Sequence, residues 1–523
     1  MRLSTARRIA TLALALVLTT ATGCRTSPRP ADSPEGDTLR IVGPWEITSI
    51  DPLRAGYLFS RMEVVETLVD ADDQGTLRPG LATGWSVTED GLTWRFHLPG
   101  EVTFHDGTPL TAAAAVTALE RARVEPGALA AAPIASLAAE SADVVVRLST
   151  PYALLPSLLA HSSTQVLAPA SFEGDVVRRI IGTGPYRIVS LEPPQRFSVT
   201  SFEGWRGARP IISSASFLSV ARAESRALLA ESGQADLSFG LDPPSLARLR
   251  QSPTVSIVAV TIPRTIILKL NAGHPALRDR RVREAISLAL DRTGITRALL
   301  RDPEMAATQL LPPTLATWHA PDLAPLVTNL DRAQALLSEA GWQRDGSGWR
   351  DAHGNPVRLA LRTFPDRPEL PTMATAVQEQ LRQLGIDTRI EVGNSSDVPA
   401  GHRDGSLELA LAARNYANFP DPVATLLQDY GANGGDWGAM GWSDAQVVDA
   451  LQTLAARPTQ ADVSALRRRV VATLQSELPV IPVAWYRQTV AVNPRVSGVT
   501  LDPLERSYRV SEMSWTAAST SHK

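Results

Sequence analysis

The sequence predicts an α/β protein built from more than one domain, and three observations carry that expectation. Its 523 residues exceed what one hydrophobic core holds, so two or three domains are expected. Through the middle of the chain, amphipathic helices lead directly into short strands, the alternation that builds α/β layers. Two strand-like apolar runs, 265–270 and 480–485, each lie between regions with different element patterns. They read as the two crossings between lobes, which makes the first lobe discontinuous, with its last strand drawn from near the C-terminus.

The elements follow in order. Arg2, Arg7 and Arg8 precede an apolar run at 9–18 and the small residues 19–23, the three-part shape of a secretory leader over 1–23. That run is shorter than the roughly 20 residues a membrane-spanning helix needs. Cys24 is the single cysteine, so no internal disulfide can form. Ala21-Thr22-Gly23-Cys24 resembles a bacterial lipobox, although Ala21 stands where leucine is usual, and on that resemblance Cys24 is expected to carry a lipid anchor. Residues 24–37, rich in Pro, Ser and charge, read as a flexible tether.

A first strand is expected at 39–42. Leu92, Trp94, Phe96 and Leu98 alternate with Thr93, Arg95 and His97, giving a strand with one apolar face. A turn at His105-Asp106-Gly107-Thr108-Pro109 leads to Thr111, which caps an alanine-rich helix running to about Arg123. Strands are expected at 143–148 and around 187–191. Asp279 opens a helix with Val282, Ile286, Ala289 and Leu290 on one face. Asp331 is expected to cap the next, which Gly341 stops. Met373, Val377, Leu381 and Leu384 line a third helix, which ends at Gly385 and feeds a strand at 387–392.

The chemistry of the chain points away from catalysis. It has no His-Glu-x-x-His, no Gly-x-Ser-x-Gly and no Cys-x-x-Cys. Gly182-Thr-Gly-Pro-Tyr186 is not a dinucleotide fingerprint, because Pro185 has no N–H for a phosphate and the third glycine is missing. His97, His105 and Asp106 are read as a strand-and-turn surface, and the eight histidines show no spacing suited to a metal cage. No metal and no cofactor are expected. With a net charge of −3, and only Lys269 and Lys523 as lysines, no basic patch suggests a nucleic-acid partner.

The punctuation of the chain resembles the family 5 solute-binding proteins, the oligopeptide, dipeptide and nickel-chelate receptors of ABC importers. Pro79-Gly-Leu-Ala-Thr-Gly-Trp85, Asp90-Gly-Leu-Thr-Trp-Arg-Phe96 and Phe104-His-Asp-Gly-Thr-Pro-Leu-Thr111 look like its signature block. Gly182-Thr-Gly-Pro-Tyr186, Asn271, Arg281-Val-Arg-Glu-Ala285, residues 335–342, Phe419-Pro-Asp-Pro422 and Leu478-Pro-Val-Ile-Pro482 follow in order. The resemblance implies a two-lobed periplasmic-binding-protein clamshell (type II, cluster C-like) with an extra subdomain inserted in the first lobe. On that basis the lobes are expected at 38–269, 270–484 and a return at 485–515, with a tail at 516–523. It implies a monomeric, non-catalytic, extracytoplasmic receptor, lipid-anchored to the membrane, that delivers a peptide-like solute to the membrane subunits of an ABC permease. A nickel-chelate or other small-solute receptor is the alternative.

The segment Arg414-Asn-Tyr-Ala-Asn-Phe-Pro-Asp-Pro422 matches the family's cleft segment. Peptide receptors carry an aspartate for the ligand's α-ammonium three positions before the Asp-Pro pair; here that position is Asn418, which offers an acceptor without charge. Pro151-Tyr-Ala-Leu-Leu-Pro156 and Leu167-Ala-Pro-Ala-Ser-Phe172 resemble the nickel branch. That branch, however, presents an arginine where Gln165 stands, a tryptophan where Tyr416 stands, and a histidine with no counterpart in 429–437. Tyr416 and Asn418 are the expected ligand contacts, followed by Arg414, with Trp45 and Tyr57 as aromatic walls and Trp437 as a lid residue. Asp421 is expected to cap the following helix.

Overall fold

A computed structural model of the chain describes residues 38–516, apart from 125–126, 347, 366, 368, 433 and 457–459. The leader, the tether, Cys24 and residues 517–523 of the tail lie outside the described residues. One ten-stranded sheet runs through the molecule. In chain order its strands are β1 (Thr38–Gly43), β2 (Tyr186–Glu192), β3 (Arg196–Ser201), β4 (Ser214–Ser219), β5 (Leu237–Phe239), β6 (Ser256–Leu270), β7 (Arg358–Thr363), β8 (Asp387–Val392), β9 (Leu409–Asn415) and β10 (Val480–Val492). Their spatial order is β2-β3-β4-β1-β5-β10-β6-β9-β7-β8.

β6 and β10 decide the architecture. They pair antiparallel from Ser256 opposite Val492 to Lys269 opposite Val480, with register shifts between Ile262 and Thr265 and between Ile266 and Ile267. Beyond the first shift β10 lies beside β5, whereas β6 on its other half lies beside β9. The same two strands therefore serve the first lobe at one end and the second lobe at the other. Pro263 falls within the first irregularity, where a residue without an N–H does least harm to a ladder. The apolar runs at 265–270 and 480–485 are the fully buried halves of these strands. In the first-lobe halves, residues 257–260 of β6 are apolar but only half-buried, and in β10 the half-buried 486–489 separate the apolar run from buried Val490, Ala491 and Val492. The change of neighbours falls at 262–265, while residue 270 marks the far end of β6.

Each lobe has its own core. Leu39, Ile41, Phe59, Phe197, Phe217 and Phe239 centre the first; Leu268, Ile286, Leu337, Leu361, Val377 and Leu411 centre the second. Between β1 and β2 the chain makes a separate four-stranded antiparallel sheet from Gly84–Val87, Thr93–His97, Asp143–Leu148 and Ile134–Glu140. Trp94 and Phe96 pack there against the helix Ala112–Ala122, whose small side chains let it lie close to the sheet. Thr111 Oγ1 accepts from Ala114 N at 3.2 Å and caps that helix.

Smaller expectations are met or corrected locally. Asp279 and Asp421 both accept from the first turn of their helices, at 2.8 Å from Arg281 N and 3.0 Å from Val423 N. The helix Leu330–Glu339 is capped by Asn329, which accepts from Arg332 N at 3.0 Å, not by Asp331. Asp331 instead lies in the first turn, where its charge complements the helix dipole. A Cβ on Gly182 would come 2.2 Å from Val64 O, and one on Gly184 would come 2.1 Å from Glu63 O. That loop needs glycine because backbone packs on backbone.

Candidate functional site

A cavity of about 1370 Å³ opens between the lobes. That is above the roughly 300–1,000 Å³ usual for small-molecule pockets, so there is room for a solute larger than a single amino acid. Its floor lies over the crossing strands β6 and β10 at the centre of the sheet, which contribute Arg264, Tyr486 and Arg487. The first lobe contributes Trp45, Tyr57 and Arg61, and the C-terminal return contributes Glu505. Arg367 and Glu369, at the start of the helix Glu369–Leu384, come from the second lobe.

Charge is concentrated at the floor. Arg264 Nη2 donates to Glu505 Oε2 at 2.8 Å. Arg61 Nε donates to the Glu505 carbonyl at 2.8 Å, and its Nη2 lies 3.4 Å from Glu505 Oε1. The Arg61 guanidinium lies over the rings of Trp45 and Tyr57, at 4.6 and 5.1 Å from their centroids. Burial lowers the Arg264 pKa, while Glu505 opposes that shift; a guanidinium still stays charged. Tyr486 lies between Arg264 and Arg367, 5.4 and 5.2 Å from its ring, and its hydroxyl donates to Glu369 Oε1 at 2.9 Å. Burial, with Glu369 adding to it, pushes that phenol up to about 12, so it remains a neutral donor. Arg487 is paired with Asp302 and Glu304 at 2.9 and 2.7 Å. Among the described residues, Arg367 has no ion pair.

The six expected contacts divide evenly. Trp45, Tyr57 and Asn418 line the cavity, and Asn415 Nδ2 donates to Asn418 Oδ1 at 3.0 Å. Tyr416 is corrected to a core residue. It is 0% exposed, its N–H donates to Pro263 O at 2.7 Å, and its hydroxyl faces that of Tyr430 at 3.3 Å. Arg414 is corrected likewise: its Nε and Nη2 grip buried Asp429, both at 2.7 Å. The reason is alternation along β9 and its exit, which sends 414 and 416 inward and 415 and 417 toward the cavity. Trp437 packs edge-on against Phe364, 6.2 Å between centroids, beside the second-lobe core and away from the cavity.

The other residues weighed from the sequence have structural partners. Buried Gln165 donates to Gly56 O at 2.9 Å and to Ser60 Oγ, bracing the turn before Arg61. Asp421, besides capping, accepts from Trp318 Nε1 at 3.3 Å and pairs with Arg467 at 2.6 Å. His97 is exposed and 2.9 Å from Asp143, while His105 Nε2 faces Gly184 O at 3.0 Å and burial pushes its pKa down to about 4. Among the described residues no three His, Cys, Asp or Glu side chains converge as metal ligands. Arg61, Arg264, Arg367, Tyr486 and Glu505 were not anticipated. The only signal for two of them is that Arg264 and Tyr486 break the apolar runs at the point where the floor is exposed.

The comparisons agree with this geometry. A family model described as bacterial extracellular solute-binding proteins, family 5, middle region, matches residues 76–437. The chain is 26% identical to the nickel-binding periplasmic protein of Escherichia coli (strain K12) over 493 residues, 89% of this chain and 94% of that one. It is 26% identical to the glutathione-binding protein GsiB of Salmonella choleraesuis (strain SC-B67) over 387 residues, 71% of each chain. The crystal structure of NikA from Brucella suis in complex with Fe(III)-EDTA shares the fold with a TM-score of 0.82 at 22% identity, covering 92% of this chain and 100% of that one. The match over most of the chain, the two-lobed fold and the cavity between the lobes lead to one conclusion: the chain belongs to family 5 of the bacterial extracellular solute-binding proteins, the binding receptors of ABC transporters rather than enzymes.

Proposed function

We propose that this receptor captures a peptide-like solute bearing a free carboxylate and delivers it to an ABC permease from a lipid anchor at Cys24. One observation carries the reading. Arg61, Arg264 and Arg367 converge on the floor, Glu505 neutralises only part of that charge, and Arg367 lies over the Tyr486 ring with no carboxylate partner among the described residues. A half-buried guanidinium facing a cleft without a counter-ion favours an anionic guest. The uncharged Asn418 gives no equivalent grip on an ammonium. A glutathione-binding relative supports a peptide-like skeleton, and the cavity has room for one. Arg367 belongs to the second lobe and Trp45 and Tyr57 to the first, so a solute reaching both favours closure; contact with one lobe alone would not.

A metal chelate with a carboxylate-bearing organic ligand is the second reading, favoured by the long match to a nickel-binding relative. Native mass spectrometry against peptide pools, followed by calorimetry, tests the first. Arg367→Ala is expected to weaken binding about 10- to 100-fold, the range of a hydrogen bond to a charged group, with the melting temperature unchanged. Tight binding of a solute without a carboxylate, indifferent to that substitution, rejects the reading. Heat from nickel and histidine mixed, absent with either alone, would select the chelate instead.

A further inference from the structure

The C-terminal return carries a carboxylate that no family motif marks. Glu505 has φ +58°, the left-handed region that a residue with a Cβ rarely adopts. The turn that holds it there is tied by Asp502, 3% exposed, which accepts from Leu504 N at 2.9 Å, Arg506 N at 2.9 Å and Ser507 N at 3.2 Å. The side chain thus aimed meets Arg264 at 2.8 Å and Arg61 at 3.4 Å. Both arginines are largely buried, and Arg61 Nη1 meets no well-formed hydrogen-bond partner among the described residues. Among the described residues Glu505 is the sole carboxylate ion-paired with either arginine. Three guanidiniums and this one carboxylate leave the floor in excess positive charge even though Glu369 stands nearby, held by the Tyr486 hydroxyl.

We propose that Glu505 is the specificity-determining residue of the cleft: an internal carboxylate that occupies Arg264 and Arg61 and so leaves the floor ready for one carboxylate of the solute, at Arg367, and not two. The inference rests on the function proposed above. A solute bringing a second carboxylate to the floor meets Glu505 in its place and is repelled; a solute with a neutral group there is accepted. Solvent exclusion sharpens the discrimination, because like charges interact more strongly away from water.

The test uses the isosteric peptides Ala-Ala-Gln and Ala-Ala-Glu, which differ by one carboxylate, titrated by calorimetry into the purified protein and its variants. The wild-type protein is expected to hold Ala-Ala-Gln at least as tightly as Ala-Ala-Glu. Glu505→Gln, with nearly unchanged shape, should move the ratio of the two dissociation constants toward Ala-Ala-Glu by about tenfold or more, the scale of one charged hydrogen bond. Glu505→Asp, which keeps the charge, should retain the wild-type order. A ratio that does not move, or an equal loss of both peptides in Glu505→Gln, overturns the proposal and leaves Glu505 a structural link.

If the wild-type protein binds neither peptide, the peptide reading fails, and the role of Glu505 is judged separately with sulfate. Melting curves in sodium sulfate and in sodium chloride at matched ionic strength should show Glu505→Gln stabilised by sulfate more than wild type, because Arg61 and Arg264 have lost their carboxylate. Equal sulfate responses overturn the proposal by that route.

Discussion

Two segments border the cleft and use their side chains in opposite ways. Residues 414–422 contain the aromatic and charged groups that look like a binding site, yet Arg414 and Tyr416 turn into the protein and only Asn415 and Asn418 among their polar groups reach the cavity. Residues 502–511 look like an ordinary C-terminal turn, yet they aim Glu505 at the floor. In the first segment the strong groups hold the wall and a neutral amide faces the cavity; in the second a buried aspartate holds the wall and the strong group faces the cavity. In the first segment, which of two neighbouring residues reaches the cavity is decided by the parity of the strand it leaves, and its chemical promise has no vote.

The comparison can be broken most forcefully at Tyr416. Tyr416→Ala should lose about 3–5 kcal/mol of stability, the range for truncating a buried aromatic, seen as a shift of the urea midpoint, while the folded fraction binds solute as before. Collapsed affinity at unchanged stability would return Tyr416 to the cleft.

Acid should strain the two segments with opposite sign. His161, whose ring lies 5.3 Å from that of Phe419 in the first segment, is pushed down to about 4 by burial, as is His105. The unfolded chain takes these protons near pH 6.5 and the folded chain only near pH 4, so their contribution, complete above pH 6.5, is lost as pH falls toward 4. Glu63, which accepts from Ser511 in the second segment, is pushed up to about 6, mainly by burial. Between pH 6 and 4.5 the folded chain binds that proton more readily, so acid favours the fold at this contact. A net loss of about 3 kcal/mol from these groups by pH 4.5 is expected, with amide exchange rising around Phe419 before Ser511. The reverse order of exchange would refute the assignment. The smallest effect belongs to Asn418→Ala, which should weaken solute binding about two- to tenfold, measured by calorimetry; no change would remove Asn418 from recognition.

The fold was legible where a local rule carries tertiary consequence. Thr111 and Asp279 announce helix starts by their side-chain chemistry, and the alternation at 92–98 assigns Trp94 and Phe96 to a core. Asn329 lost its place to Asp331 in the reading because both are good caps and sequence alone does not say which carbonyl ends the preceding loop. The site was legible only as far as a segment. Arg264, Arg367 and Glu505 are far apart in the chain, and nothing local distinguishes them from the many arginines and glutamates that pair on the surface. They become a site only when β6 and β10 bring the lobes together and the return segment folds back over them.

The continuous ladder between β6 and β10 also limits how the receptor is able to move. Sliding one half past the other along the strands would break many backbone bonds at once, whereas a swing needs altered dihedrals only near the irregular stretch at 262–266 and its partners at 482–486. Arg264 and Tyr486 stand at that point, so a swing about it would move them little. On the proposal above, Arg264 and Glu505 would stay together at the axle of that swing while Arg367, carried by the second lobe, moves away on opening, so the grip on a guest's carboxylate would be the part that moves.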